Sequence, residues 1–242
     1  MSFPKCEVFV DVIERREDDY HELNEDFEEV RGFIEIEVRD ENCKLLQKGK
    51  HEMHSFLNNF LKMIEGFARA PGGASTGVSL IGTGGSAVTV YAEWYGGSAD
   101  TVGGGTPMAC RGGDNDASKG ILVGSGTSPV TLNDYNLASQ IPHGTGAGQL
   151  DYDAMAIDDL GIDTSVTPPV YRIRMIRPFK NVSGGAITVN EVGIMARNYY
   201  ASSAGVRVNT PYYIARDVLP RDYIVPNGGS ITITIIIEVV LG

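Results

Sequence analysis

The stretch from Tyr171 to Gly242 constrains the fold most. It holds three runs rich in β-branched residues, YRIRMIRPF (171–179), AITVNEVGIMAR (186–197) and SITITIIIEVVL (230–241). Such runs suit a pleated, half-buried surface. Val-Ser-Gly-Gly (182–185) and Pro-Asn-Gly-Gly (226–229) interrupt the pattern just ahead of the second and third runs, as turns punctuate short antiparallel strands. YYIARDVL (212–219) supplies a fourth run between them.

The N-terminal half extends this β reading with one exception. KCEVFVDVIE (5–14) reads as a strand, and an acidic arm or loop (15–31) follows it with few apolar anchors. FIEIEVRD (33–40) is a half-buried strand that Asp40-Glu41-Asn42 turns into CKLLQKGKHEM (43–53), giving a hairpin. The exception is an amphipathic helix over about 55–69 with Ser55 as its N-cap. Phe56, Leu57, Phe60, Leu61, Ile64, Phe67 and Ala68 form its expected inner face, opposite Asn58, Asn59, Lys62, Glu65 and Arg69.

Glycine then dominates. The chain has 30 glycines, well above average usage, and most of them fall between Pro71 and Gly148. VSLIGTG (78–84), AVTVYAEWY (87–95) and ILVGSG (121–126) remain strand-like, whereas Gly96–Gly120 has almost no large apolar residue. A loop of that length inside a compact domain is either an exposed functional loop or a segment ordered by a neighbour, so 96–120 is the expected contact surface. Residues 127–155 are turn-rich, with Tyr152 and Met155 expected to start the next strand or to pack beneath it. The expectation is a single β-rich domain over 1–242, a mainly β, antiparallel β-sandwich of jelly-roll-like form with the helix packed on it.

Charge and cysteine usage narrow the function classes. A formal charge of −11 opposes binding to nucleic acid or an anionic membrane, both of which reward clustered Lys and Arg. No run approaches the ~18 apolar residues of a membrane span, and acids stand where a signal peptide would be apolar, so synthesis in a cytosol without general secretion is expected. Cys6, Cys43 and Cys110 are far apart with no CxxC pair, which reads as three free or buried thiols.

Several patterns resemble chemistry without its spacing. Gly82-Thr-Gly84-Gly85 precedes a β-branched run and not a helix that would hold a pyrophosphate. Gly124-Ser-Gly126 and Gly144-Thr-Gly146-Ala-Gly148 lack a P-loop's Lys-Ser/Thr ending, so positive-φ turns are expected there. His51-Glu52-Met53-His54 places its histidines three apart, where zinc capture on a helix needs four, and surface histidines are expected. Asp151, Asp153, Asp158, Asp159 and Asp163 form an acidic stretch read as a solvated loop. Its rival roles are cation binding and a carboxylate pair for glycoside hydrolysis. No catalytic, cofactor-binding or metal-binding residue is assigned, and no cofactor.

Three segments carry a family resemblance: GILVGSGTSPVTLNDYNLASQIPHGTGAGQLDYD (120–153), IRPFKNVSGGAITVNEVGIMAR (176–197) and YYIARDVLPRDYIVPNGGSITITIIIEV (212–239). Together they resemble structural proteins of tailed phages and related viruses, in which F-x-N-x-S-G-x-x-I-T-V-x-E-V-G-L and A-R-D-V-L…V-x-N-G-x-x-I-T-V-T patterns close a β-sandwich. The resemblance implies a non-enzymatic virion protein, a capsid-decorating, minor capsid or tail subunit. It would assemble with itself and other virion proteins and be located in the virion. The alternatives are a receptor- or host-glycan-binding fibre module, and a glycan-active enzyme using acids within 151–163.

Overall fold

The computed structural model describes residues 30–69, 77–91, 106–201 and 207–241. The expected strand 5–14, the arm before Val30 and the first part of the glycine-rich loop lie outside these residues. In chain order the elements are β1 (Val30–Arg39), β2 (Leu45–Met53), α1 (Asn58–Arg69), β3 (Gly77–Ile81) and β4 (Ala87–Tyr91). β5 (Thr106–Ala109), β6 (Gly120–Gly124), β7 (Asp151–Tyr152) and β8 (Ala156–Asp163) follow. β9 (Val170–Lys180), β10 (Ile187–Ala201), β11 (Arg207–Val225) and β12 (Ser230–Val240) complete the chain.

The protein is mainly β and its strand ladders are antiparallel. One sheet of six strands runs β2-β1-β12-β9-β7, with β8 also on β9. A four-stranded sheet runs β11-β10-β5 with β6 on β10, and β3 and β4 form a separate hairpin. Alternation builds the core. Ile34, Ile36 and Val38 of β1 and Ile231, Ile233 and Ile235 of β12 point one way and are buried. They join Val189, Val192 and Ile194 of β10 and Ile121–Val123 of β6 in one apolar cluster.

The two expected turns brace each other. Gly184 (φ 89°) and Gly228 (φ 81°) occupy left-handed backbone that glycine tolerates without strain. Buried Asn181 donates to the carbonyls of Gly185 and Val225, each at 2.8 Å, while Asn227 accepts from the Gly184 N–H at 2.8 Å. Asn181 is therefore an internal brace. Gly124 and Gly126 depart from the positive-φ expectation, since neither has positive φ and a Cβ on either would run into the Glu191 carboxylate.

The helix departs from expectation at its start and in its roll. Ser55 is not its cap, because residues 55–57 run beside β11. Phe56 bridges Ala215, the Leu57 N–H donates to Ile214 O at 2.9 Å, and Asn58 N–H donates to Leu132 O at 2.9 Å. These distant carbonyls take the place of a capping side chain for donors that a helix start leaves open. The inward stripe is Asn59, Met63 and Gly66, whereas Leu61 and Ile64 are 56% and 50% exposed. Asn59 turns inward because its carboxamide completes three hydrogen bonds, from Ile81 N and to Ile81 O and Tyr213 O. That pins the β3–β4 hairpin and α1 to β11.

The second half of the glycine-rich loop is structured. Residues 106–109 pair with β10, and 110–119 fold around Arg177 of β9. Cys43 is disulfide-bonded, while Cys110 is a free thiol whose pKa burial pushes up. The reading of three thiols is corrected accordingly.

Candidate functional site

The acidic stretch is a strand and not a solvated loop. β8 lies antiparallel to β9, whose sequence alternates arginines with apolar residues, so Asp158 and Asp163 each meet an arginine across the ladder. Asp158 pairs with Arg174 at 2.8 Å, Asp163 with Arg172 at 2.7 Å, and Asp153 with Lys180 at 2.8 Å. Asp151 lies 3.8 Å from His143, and Asp159 accepts a hydrogen bond from the Tyr171 hydroxyl. The Ser165 hydroxyl and Arg172 hold the Asp163 carboxyl well below the usual carboxylate range, the opposite of what a general acid requires. Among the described residues no group of three or more His, Cys, Asp or Glu side chains is placed to hold a metal ion. Three of the acids are thus brought to arginine or lysine partners, and Asp151 and Asp159 to His143 and Tyr171, rather than to one another.

Charge is also buried at Arg177, Glu191 and Arg216. Arg177 is fully buried, and its guanidinium donates to the carbonyls of Asp153, Lys119, Ile121, Gly113 and Asp116. Its cation also lies 4.9 Å from the Tyr152 ring centroid, a cation–π contact. The signal for Arg177 is its phase. It shares the inward register of Met175 and Phe179, where a charge must find partners or cost several kcal/mol.

Glu191 and Arg216 form the second network, one from each motif of the family resemblance. Fully buried Glu191 accepts from the N–H groups of Gly126, Ala138 and Ser139, and its Oε2 lies 3.0 Å from Arg216. Arg216 also donates to Asp134 at 2.5 Å and to Ser128 O at 2.9 Å. Burial alone would raise the Asp134 pKa, but its bonds from Thr131 and Arg216 outweigh it and lower the value. One ion-pair network therefore fixes the turn-rich segment 125–139 against β10 and β11.

A cleft of about 250 Å³ opens between α1, β3 and the 132–134 turn. It is smaller than common ligand pockets, and the side chains of Asn58, Asn59, Asn133 and Asp134 that line it are already engaged. Asn58 donates to Asn133 at 2.7 Å, Asn59 bonds the backbone, and Asp134 holds Arg216.

The six-stranded sheet ends in two unlike edges. Along β2, the Gln47 side chain donates to Asp222 O at 3.3 Å and accepts from Ile224 N–H at 2.8 Å, and Arg221 donates to Lys48 O. His51 Nε2 lies 2.5 Å from the Tyr223 hydroxyl, so His51 is partly buried and bonded rather than a free surface histidine. Burial and Arg221 both depress its pKa. His54, which is exposed, donates its backbone N–H to Asp217 at 3.1 Å, while the other Asp217 oxygen is buried without a hydrogen-bond partner. Burial pushes the Asp217 carboxyl up to about 6.

β8 has no such seam among the described residues. Ile157, Leu160 and Ile162 are 39%, 43% and 60% exposed. The uncovered apolar surface continues inward along one row of the sheet, Ile162–Tyr171–Val239–Val30, where Val30 is 51% exposed and the middle two are half-buried. No helix among the described residues is long and apolar enough to cross a membrane. Compared with known protein families, curated proteins and solved structures, the chain matches none of them.

Proposed function

We propose that this protein is a non-enzymatic structural subunit of a virion, a capsid-decorating, minor capsid or tail component that assembles with itself and with other virion proteins. Its two larger sheets, sharing one apolar cluster, are then the layers of a jelly-roll-like β-sandwich. The observation that carries the reading is the Glu191–Arg216 network. The two sequence motifs that resemble phage structural proteins supply opposite halves of one buried ion pair, and both side chains are spent on bracing turns. A virion subunit has the same requirement, a rigid β core that presents fixed surfaces. Immunogold electron microscopy with antibody to the recombinant protein tests the role. Regular labelling of intact phage-like particles from the source cells is expected, and particles that consistently carry no label would refute it.

A further inference from the structure

We infer that β8 is a self-association edge, paired with β8 of a second copy across a twofold axis between Asp159 and Leu160. The inference rests on the homo-oligomeric part of the proposed function and names the surface that would perform it. An edge strand presents unpaired backbone N–H and C=O groups, and proteins commonly guard such edges with charge, proline or a cover. β8 carries three acids and a bulge, but also three exposed apolar side chains continuous with the half-open row reaching Val30.

The charges select the occupant. An acidic edge with free carboxylates would call for a basic partner, but Asp158 and Asp163 are already paired with Arg174 and Arg172 of the same copy. What remains to be covered is apolar surface, backbone and the Asp159 carboxylate, which accepts from the neutral Tyr171 hydroxyl and faces Leu160 across the twofold axis.

The sequence of β8 is self-complementary in one antiparallel register. With the axis between Asp159 and Leu160, Ile157 faces Ile162, Asp158 faces Gly161, Asp159 faces Leu160 and Asp163 faces Ala156. No acid meets an acid. A slip of one position sets Asp159 against itself or Asp163 against Ile157, and a slip of two sets Asp158 against Asp159 or Asp163. Like charges directly opposite destabilise a strand pair, which counts against three of these four slips. The fourth, Asp163 against Ile157, gives up the Ile157–Ile162 contact and sets a charge against an apolar side chain, so this register is preferred. The β8 bulge falls between Asp159 and Gly161, with Gly161 at φ 70°. Bulges deter pairing with unrelated strands. A twofold axis places the same kink in both copies, as an isologous contact requires.

Sedimentation velocity on the full chain, with Ile162→Asp as the disrupting variant, reads the association. The wild type should dimerise, and I162D should weaken the dimer by roughly tenfold or more while keeping the wild-type circular dichroism and melting temperature. Mixing the single variants Ile157→Cys and Ile162→Cys under mild oxidation should give a covalent dimer well above the level formed by wild type or by either variant alone. A wild type that stays monomeric overturns the inference. If hydrogen exchange in that monomer shows β8 protected, residues 1–29 of the same chain become the occupant. Unchanged association of I162D, or equal cross-linking of Ile162→Cys with itself, also overturns it. Each of these results is compatible with gold-labelled particles, so the edge and the virion role fail separately.

Discussion

The β2 and β8 edges bound the same six-stranded sheet, yet one is sewn to the rest of the protein and the other is open. At β2, side chains of Gln47, His51 and the backbone of His54 reach Asp222, Ile224, Tyr223 and Asp217 of β11, a strand more than 160 residues later in the chain. At β8, the neighbouring strand β9 supplies the ladder and the counter-charges, and the apolar side chains stay in solvent. The difference teaches that apolar content does not tell a sealed edge from an open one. The sealed edge is the more polar strand, because hydrogen-bonding side chains and a glycine let the other sheet approach.

If the seam depends on that close approach, filling it should have the largest effect. A Cβ at Gly49 would run into the Tyr223 hydroxyl, so Gly49→Val must expel Tyr223 and break its bond with His51. A loss of about 3 kcal/mol is expected in urea denaturation, at the upper end for overpacking. A variant as stable as wild type would show that the seam is slack.

The seam should also titrate. Burial raises Asp217 from 3.8 to about 6, so across that interval the folded protein keeps a proton that the unfolded chain has lost. Stability contributed by this group is full below the unfolded value and falls as pH rises through the interval, by on the order of 2 kcal/mol. His51 acts in the opposite direction, since its depressed pKa costs stability as pH falls below 6.5. Asp217→Asn isolates the first effect. Denaturation midpoints of the variant should lose the downward trend, and an unaltered pH profile would remove Asp217 from the account.

Gln47→Ala should cost less, about 1 kcal/mol, because it deletes two exposed hydrogen bonds whose partners can turn to water. Its clearest sign should be faster amide exchange at Ile224. The smallest stability effect belongs to the open edge. Ile162→Ser should shift monomer stability by no more than about 0.5 kcal/mol. A larger loss, measured where the protein is monomeric, would mean that Ile162 is packed within its own chain and that the contrast between the edges is false.

The strands from Tyr171 onward, the β1–β2 hairpin and the two Gly-Gly turns were legible in the sequence because each depends on local physics, namely alternation, β-branching and glycine's access to left-handed backbone. Even the inward phase of Arg177 is written in its strand. Its five carbonyl partners are not, since they come from segments 24 to 64 residues away. The Glu191–Arg216 pair, the roll that turns Asn59 inward and leaves Leu61 and Ile64 exposed, and the conversion of the 151–163 acids from loop to edge strand were decided in the same way, by partners remote in sequence. Local pattern selects which segments extend and where they turn. The desolvation cost of a charge or amide is settled only by what packs against it, so the tertiary structure decided which polar groups became internal braces and which sheet edge was left open.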